Sequence, residues 1–154
     1  MDFSPITQDL FVGRTPTTAD YARLRELGVR LVINMRFARG PYPDPHETPL
    51  DFLWLHTFDS AFLPIPVGVL LRGTRTALET IERGGKVYTH CAEGRHRGPA
   101  MGAAILIAQG YEPQDAMQLI KARRPVADPE IYHIRRQVLA FASEWNKQKD
   151  IGSV

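Results

Sequence analysis

The chain has 154 residues, 44% of them apolar, enough for one domain (residues 1–154) with a substantial buried core. Its 19 basic and 17 acidic side chains leave a formal charge of +2, too mild a field to make nucleic acid an expected bulk electrostatic partner. One cysteine rules out an intrachain disulfide framework and fits a reducing compartment, and no apolar run approaches the roughly 20 residues of a membrane span.

Met1-Asp2-Phe3-Ser4-Pro5 has no basic flank followed by an apolar stretch, so no signal peptide is visible and a soluble, cytoplasmic protein is expected. Phe11-Val12 is a short strand candidate. Thr17 or Thr18 caps a helix running through Ala22, Leu24 and Leu27, with Gly28 at its end. Leu31 to Met35 reads as a strand buried on both faces, as in a parallel sheet. The prolines between Arg39 and His46 make an extended loop, and Phe52 to His56 is the next strand.

From Val67 to Arg83, Leu70, Leu71, Thr74, Ala77, Leu78 and Ile81 recur at helical spacing, with Gly84-Gly85 closing the run. Lys86 to Thr89 is strand-like, and the small residues from Gly98 to Ile107 form a helix. Another helix fits Pro113 to Arg123, and a last one runs from about Pro129 to Trp145 with Ile131, Ile134, Val138, Phe141 and Trp145 on one face. This alternation predicts an α/β fold, a short, twisted, largely parallel sheet flanked by helices. Sites in such sheets lie beyond the carboxyl ends of the strands.

One such end carries His90-Cys91-Ala92-Glu93-Gly94-Arg95-His96-Arg97. A loop leaving a strand and entering a helix points successive backbone N–H groups inward, and the helix dipole adds positive potential. That cradle suits a phosphoryl group and favours Cys91 as a thiolate nucleophile. The N–H groups of Ala92, Glu93, Gly94, Arg95, His96 and Arg97 become the phosphate-binding set, and the Arg97 guanidinium is able to grip two phosphoryl oxygens. Gly94 supplies a turn conformation that a side chain would penalise.

The His-Cys-x5-Arg run resembles the signature of the cysteine-based protein tyrosine and dual-specificity phosphatases. Phe11 to Arg14, Leu27-Gly28-Val29 leading into Val32 to Arg36, Asp59 with Pro64 after it, and Arg124-Pro125 also fall where compact dual-specificity phosphatases carry similar elements, so the resemblance covers nearly the whole chain. It implies a dual-specificity phosphatase-like fold and a phosphomonoesterase acting through a thiophosphoryl-enzyme. Cys91 is the implied nucleophile, Arg97 the clamp, and Asp59 the general acid that protonates the leaving oxygen and then activates water. Asp128 and Glu93 stand behind Asp59 as alternatives. His90 takes a supporting role in orienting the loop.

Gly98 departs from the pattern, since those loops usually place Ser or Thr directly after the Arg. This departure is the only support for the rival reading, a phosphate-binding pseudophosphatase. Arg95 and His96 read as solvated loop residues, though Gly-Arg-His-Arg resembles the Gly-Lys-His-Arg run of phosphatases acting on inositol pyrophosphates. Asn34 and Arg36 either face the phosphate or pair structurally, and Arg124 reads as structural.

The expected partner is a phosphorylated protein or a small phosphorylated molecule such as a phosphoinositide or inositol phosphate, with phosphate, sulfate or vanadate also binding the loop. The short chain leaves little room for a loop that would deepen the pocket for phosphotyrosine alone. His46, His56, His90, His96 and His133 show no metal-binding spacing and no carboxylates cluster with them, so no metal site and no cofactor is expected.

Overall fold

The computed structural model describes residues 1–152. Five strands, β1 (Phe3–Pro5), β2 (Leu10–Gly13), β3 (Val29–Arg36), β4 (Asp51–Thr57) and β5 (Lys86–His90), form one sheet in the order β1-β2-β5-β3-β4. All neighbours run parallel except β1, which pairs antiparallel with β2 at the edge. Strand β1, three residues containing Ser and Pro, has no apolar periodicity that would mark it in the sequence. Its proline sits on an edge strand, where a missing N–H is tolerated.

The helices are α1 (Tyr21–Glu26), α2 (Val67–Glu82), α3 (Arg97–Ala108), α4 (Pro113–Arg123) and α5 (Tyr132–Gly152). Strand alternation sends Leu10 and Val12 to one face and Phe11 to the other. On the first face they join Leu31, Ile33, Met35 and Val87 in a core covered by α2, α3, α4 and α5. On the second face Phe11, Val32 and Tyr88 pack with Tyr21 and Leu24 of α1 and with Leu50.

Every residue of α3 from Gly98 to Ile107 is buried. A helix apolar all round belongs inside a protein, and α3 is accordingly surrounded by α2, α4, α5 and the sheet. Its N-terminus is therefore fixed against the end of β5, the central strand.

The last helix departs from expectation at both ends, starting at Tyr132 rather than near Pro129 and continuing past Trp145. Residues 125–131 form turns instead, because the Ala127 N–H bonds the Arg124 carbonyl and the Asp128 N–H bonds the Arg95 carbonyl. At the far end, Gln148 donates to Glu144 one turn back and receives Arg75 from α2, so polar contacts continue what the apolar stripe began. Among the described residues no helix is long and apolar enough to cross a membrane.

Candidate active site

β5 ends at His90 and α3 begins at Arg97, so residues 91–96 form a six-residue loop at the carboxyl end of the central strand. Every carbonyl in that loop is taken from outside. The Cys91 carbonyl accepts from the Thr15 hydroxyl at 2.9 Å and from His90 Nδ1 at 3.0 Å. That of Ala92 accepts from the Thr15 N–H, that of Arg95 from the Asp128 N–H, and that of His96 from the Ala100 N–H. Arg124 takes the remaining two, with Nη2 on Glu93 at 2.8 Å and Nε on Gly94 at 2.9 Å.

Carbonyls turned outward leave the opposite edges of the peptides facing in. Among the described residues, no N–H from Ala92 to Arg97 donates to an acceptor within the protein. Six such free donors at a helix N-terminus are an arrangement suited to an anion. Gly94 makes the turn possible with φ +69°, where a Cβ would stand 2.6 Å from the Gly13 carbonyl oxygen.

Arg97 closes the site. Its Nη1 donates to the Thr57 carbonyl at 2.7 Å and the Met35 carbonyl at 3.2 Å, which anchors one edge of the guanidinium to the ends of β4 and β3. Among the described residues the buried Nε has no hydrogen-bond partner. A buried guanidinium N–H without an acceptor is costly, and a phosphoryl oxygen is the acceptor this geometry suits. Cys91, 5% exposed, lies on a cavity of about 260 Å³ with Asp59, Ala92, Glu93, Arg95, His96 and Arg97.

Asp59 therefore reaches the same cavity as Cys91 and Arg97, although it follows β4 in the chain. Its two carboxylate oxygens are both engaged, Oδ2 by His96 Nδ1 at 2.8 Å and Oδ1 by His133 Nε2 at 2.9 Å. Burial pushes the carboxyl up, but the hydrogen bonds from His133 and His96, with the charges of His96 and Arg97, outweigh it and hold Asp59 below the ordinary carboxylate value. His96, which read as a solvated loop residue, is thus built into the site.

His133 was missed altogether. It lies 74 positions from Asp59 and sits next to the start of α5, and no local signal marks it. The expectation that no histidine clusters with a carboxylate is corrected at this point, because Asp59, His96 and His133 bring their ligand atoms within 4.8 Å of one another.

The alternatives to Asp59 fall differently. Glu93 lines the cavity, whereas Asp128 lines a neighbouring furrow of about 460 Å³ with Arg14, Arg95 and Lys121. His90 is 1% exposed, and burial pushes its imidazole down to about 4. It is therefore neutral at neutral pH, and Nδ1 carries the hydrogen because a carbonyl accepts. Its role is to hold the first peptide of the loop.

Asn34 and Arg36 pair structurally. Asn34 donates to the Arg39 carbonyl and accepts the Arg36 N–H, while Arg36 Nη1 donates to the Thr15 hydroxyl at 3.1 Å. That hydroxyl is the one holding the Cys91 carbonyl, so Arg36 supports the loop at one remove. Arg124, 1% exposed, is structural as expected, with the added function of aiming two loop peptides. A Cβ built on Gly98 would lie 3.1 Å from the carbonyl carbon and Cα of His90 and 3.2 Å from the Cys91 nitrogen, so α3 approaches the strand end closely there.

A largely parallel sheet with a cysteine loop between its central strand and a buried helix defines the class of cysteine-based phosphatases. No protein-family model matches the chain. It is 30% identical over 145 residues to dual specificity protein phosphatase 13B of Mus musculus, covering 85% of this chain and 69% of that one. Over 131 residues it is 28% identical to dual specificity phosphatase 28 of Mus musculus, covering 84% and 77%. The crystal structure of PTPMT1 in complex with PI(5)P superimposes with a TM-score of 0.85 at 24% identity, covering 96% of this chain and 98% of that one. The chain belongs to the dual-specificity phosphatase family, within the cysteine-based protein tyrosine phosphatase superfamily.

Proposed function

We propose that the chain is a cysteine-dependent phosphomonoesterase that works through a thiophosphoryl-enzyme. The observation that carries this reading is the loop itself: its six carbonyls accept from donors outside it, while among the described residues its six N–H groups and the buried Arg97 Nε have no acceptor.

In the first step Cys91 Sγ forms a bond to phosphorus and the bond to the leaving oxygen breaks, its electron pair staying on that oxygen. The equatorial oxygens lie on the loop N–H groups and Arg97 as charge redistributes. Asp59 hands the leaving oxygen its proton. The negative charge of the bound phosphoryl group favours the protonated form of the Asp59 carboxyl. In the second step water attacks phosphorus, Asp59 takes the proton of that water, and the sulfur–phosphorus bond breaks to release phosphate and the thiolate. The loop supplies the positive charge that both steps require.

A second reading for the substrate is a phosphoinositide or inositol phosphate. Arg14, Arg95 and Lys121 line the furrow beside the loop and would meet additional phosphates, and PTPMT1, a neighbour in fold, has been solved with PI(5)P. Asp2, Glu93 and Asp128 line the same furrow and balance the three cations, which favours a singly phosphorylated protein side chain over a polyanion.

Turnover of p-nitrophenyl phosphate in chelator, abolished by Cys91→Ser, is the expected result. Phosphate or vanadate binding without turnover would make the chain a pseudophosphatase. Initial rates on phosphopeptides, phosphoinositides and inositol pyrophosphates then decide the substrate class.

A further inference from the structure

We propose that Asp59, His96 and His133 form a zinc(II) site that reversibly inhibits the enzyme. Their ligand atoms, one carboxylate oxygen and two imidazole nitrogens, already converge within 4.8 Å. Two hydrogen bonds now join them, at 2.8 and 2.9 Å, and the imidazole rings lie 5.8 Å apart at 78° to each other. In a tetrahedral zinc site with bonds of about 2.0–2.2 Å, donor atoms stand roughly 3.3 Å apart. Converting one arrangement into the other takes side-chain rotation and no movement of the sheet.

The proton balance is simple. Each imidazole takes the metal through the ring nitrogen that now faces the carboxylate, its hydrogen there passing to the other ring nitrogen or to solvent, and the carboxylate replaces two hydrogen bonds with one metal bond. Two histidines and one carboxylate are ordinary zinc ligands, and three protein ligands leave a fourth position for water. All three side chains are partly shielded, with His96 21%, His133 20% and Asp59 35% exposed, so the site is reachable yet has little freedom to lose on binding.

The three ligands come from separate parts of the chain, the segment after β4, the catalytic loop and α5, so a bound ion would tie them together. Zinc there removes Asp59 from proton transfer and places a dication beside the phosphoryl cavity. This inhibitory consequence rests on the proposed role of Asp59, whereas the binding site does not.

Binding is measured first on Cys91→Ser protein, which has no thiolate to ligate metal. Titration with cobalt(II) should give tetrahedral visible bands at one ion per chain, abolished by zinc. Asp59→Asn, His133→Ala and His133→Gln, each in that background, should weaken cobalt binding at least roughly tenfold. Absence of visible bands in Cys91→Ser, or bands unmoved by the His133 variants, would overturn the site. A sulfur-to-cobalt charge-transfer band carrying all the binding of the wild type would assign the metal to Cys91 and overturn it too.

On wild-type protein, zinc should inhibit nitrophenyl phosphate turnover and chelator should restore it. Inhibition should weaken about tenfold or more in His133→Ala, measured against that variant's own chelated rate. Cobalt binding at the three residues without zinc inhibition would keep the site and overturn the inhibitory role, and with it the part given to Asp59.

Discussion

Arg124 Nε donates to the carbonyl of Gly94 at 2.9 Å, so a side chain 30 positions away fixes the peptide at the tip of the Cys91 loop. The same guanidinium takes the Glu93 carbonyl through Nη2, and Asp2 and Ser4 fill its remaining valences. Its fork bridges the end of α4, the N-terminal strand and the loop, a geometry that a lysine ammonium does not reproduce.

Arg124→Lys should therefore weaken vanadate inhibition and lower kcat/KM by roughly 10- to 100-fold, since a hydrogen bond involving a charged group is worth about 1.5–3 kcal/mol. Asp2→Ala removes an exposed partner of the same arginine and should cost less than about 1 kcal/mol in urea denaturation, with activity nearly intact. Equal losses of activity in the two variants would mean that Arg124 acts through the N-terminus rather than the loop.

Asp59→Asn should cut turnover of alkyl phosphates by about 10²–10⁴-fold and that of nitrophenyl phosphate much less, because nitrophenolate leaves without a proton. His133→Asn should reproduce this leaving-group dependence in weaker form, since His133 holds Asp59 Oδ1. Uniform losses across leaving groups would move the acid role to Glu93, the other carboxylate lining the cavity.

His90 sets a pH limit on stability. Burial and the charges of Arg36 and Arg97 push its imidazole from 6.5 down to about 4, against the hydrogen bond to Cys91. As pH falls through 6.5 the unfolded chain takes up a proton that the folded chain refuses, so stability declines between about 6.5 and 4 and holds above it. The full effect of that one group is on the order of 3 kcal/mol. Urea midpoints at pH 7.5 and pH 5 should differ for the wild type and differ clearly less for His90→Asn. An unchanged difference in the variant would assign the acid sensitivity to other groups.

Gly98 separates two effects. A Cβ there meets the backbone of His90 and Cys91 at 3.1–3.2 Å, so alanine should strain the first turn of α3 and lower stability by about 1 kcal/mol or more. Serine adds a hydroxyl able to donate to the departing sulfur, worth roughly 10- to 150-fold in phosphoenzyme hydrolysis. Burst kinetics with nitrophenyl phosphate should show a faster steady state for Gly98→Ser than for Gly98→Ala, with similar burst rates. If alanine and serine turn over alike, the glycine serves the close approach of helix and strand alone.

The sequence by itself determined the parallel sheet and the Cys91 loop between its central strand and α3. Those features are local in the chain: Cys91, Gly94 and Arg97 lie within one loop, and the buried strands and α3 announce themselves by continuous apolar or small residues. That Asp59 belongs near this loop was read only through the family resemblance, and the structure places it on the same cavity as Cys91. Tertiary structure decided everything that depends on distant segments meeting. It brought His133 from α5 to Asp59, Arg124 from the end of α4 to the loop carbonyls, and Thr15 and Arg36 to the Cys91 peptide. It also shortened the start of α5, because turns tied to the loop through Asp128 displaced a helix that periodicity alone would begin earlier. A side chain's contact with a residue dozens of positions away is set by packing of the whole core, and no spacing within either segment records it.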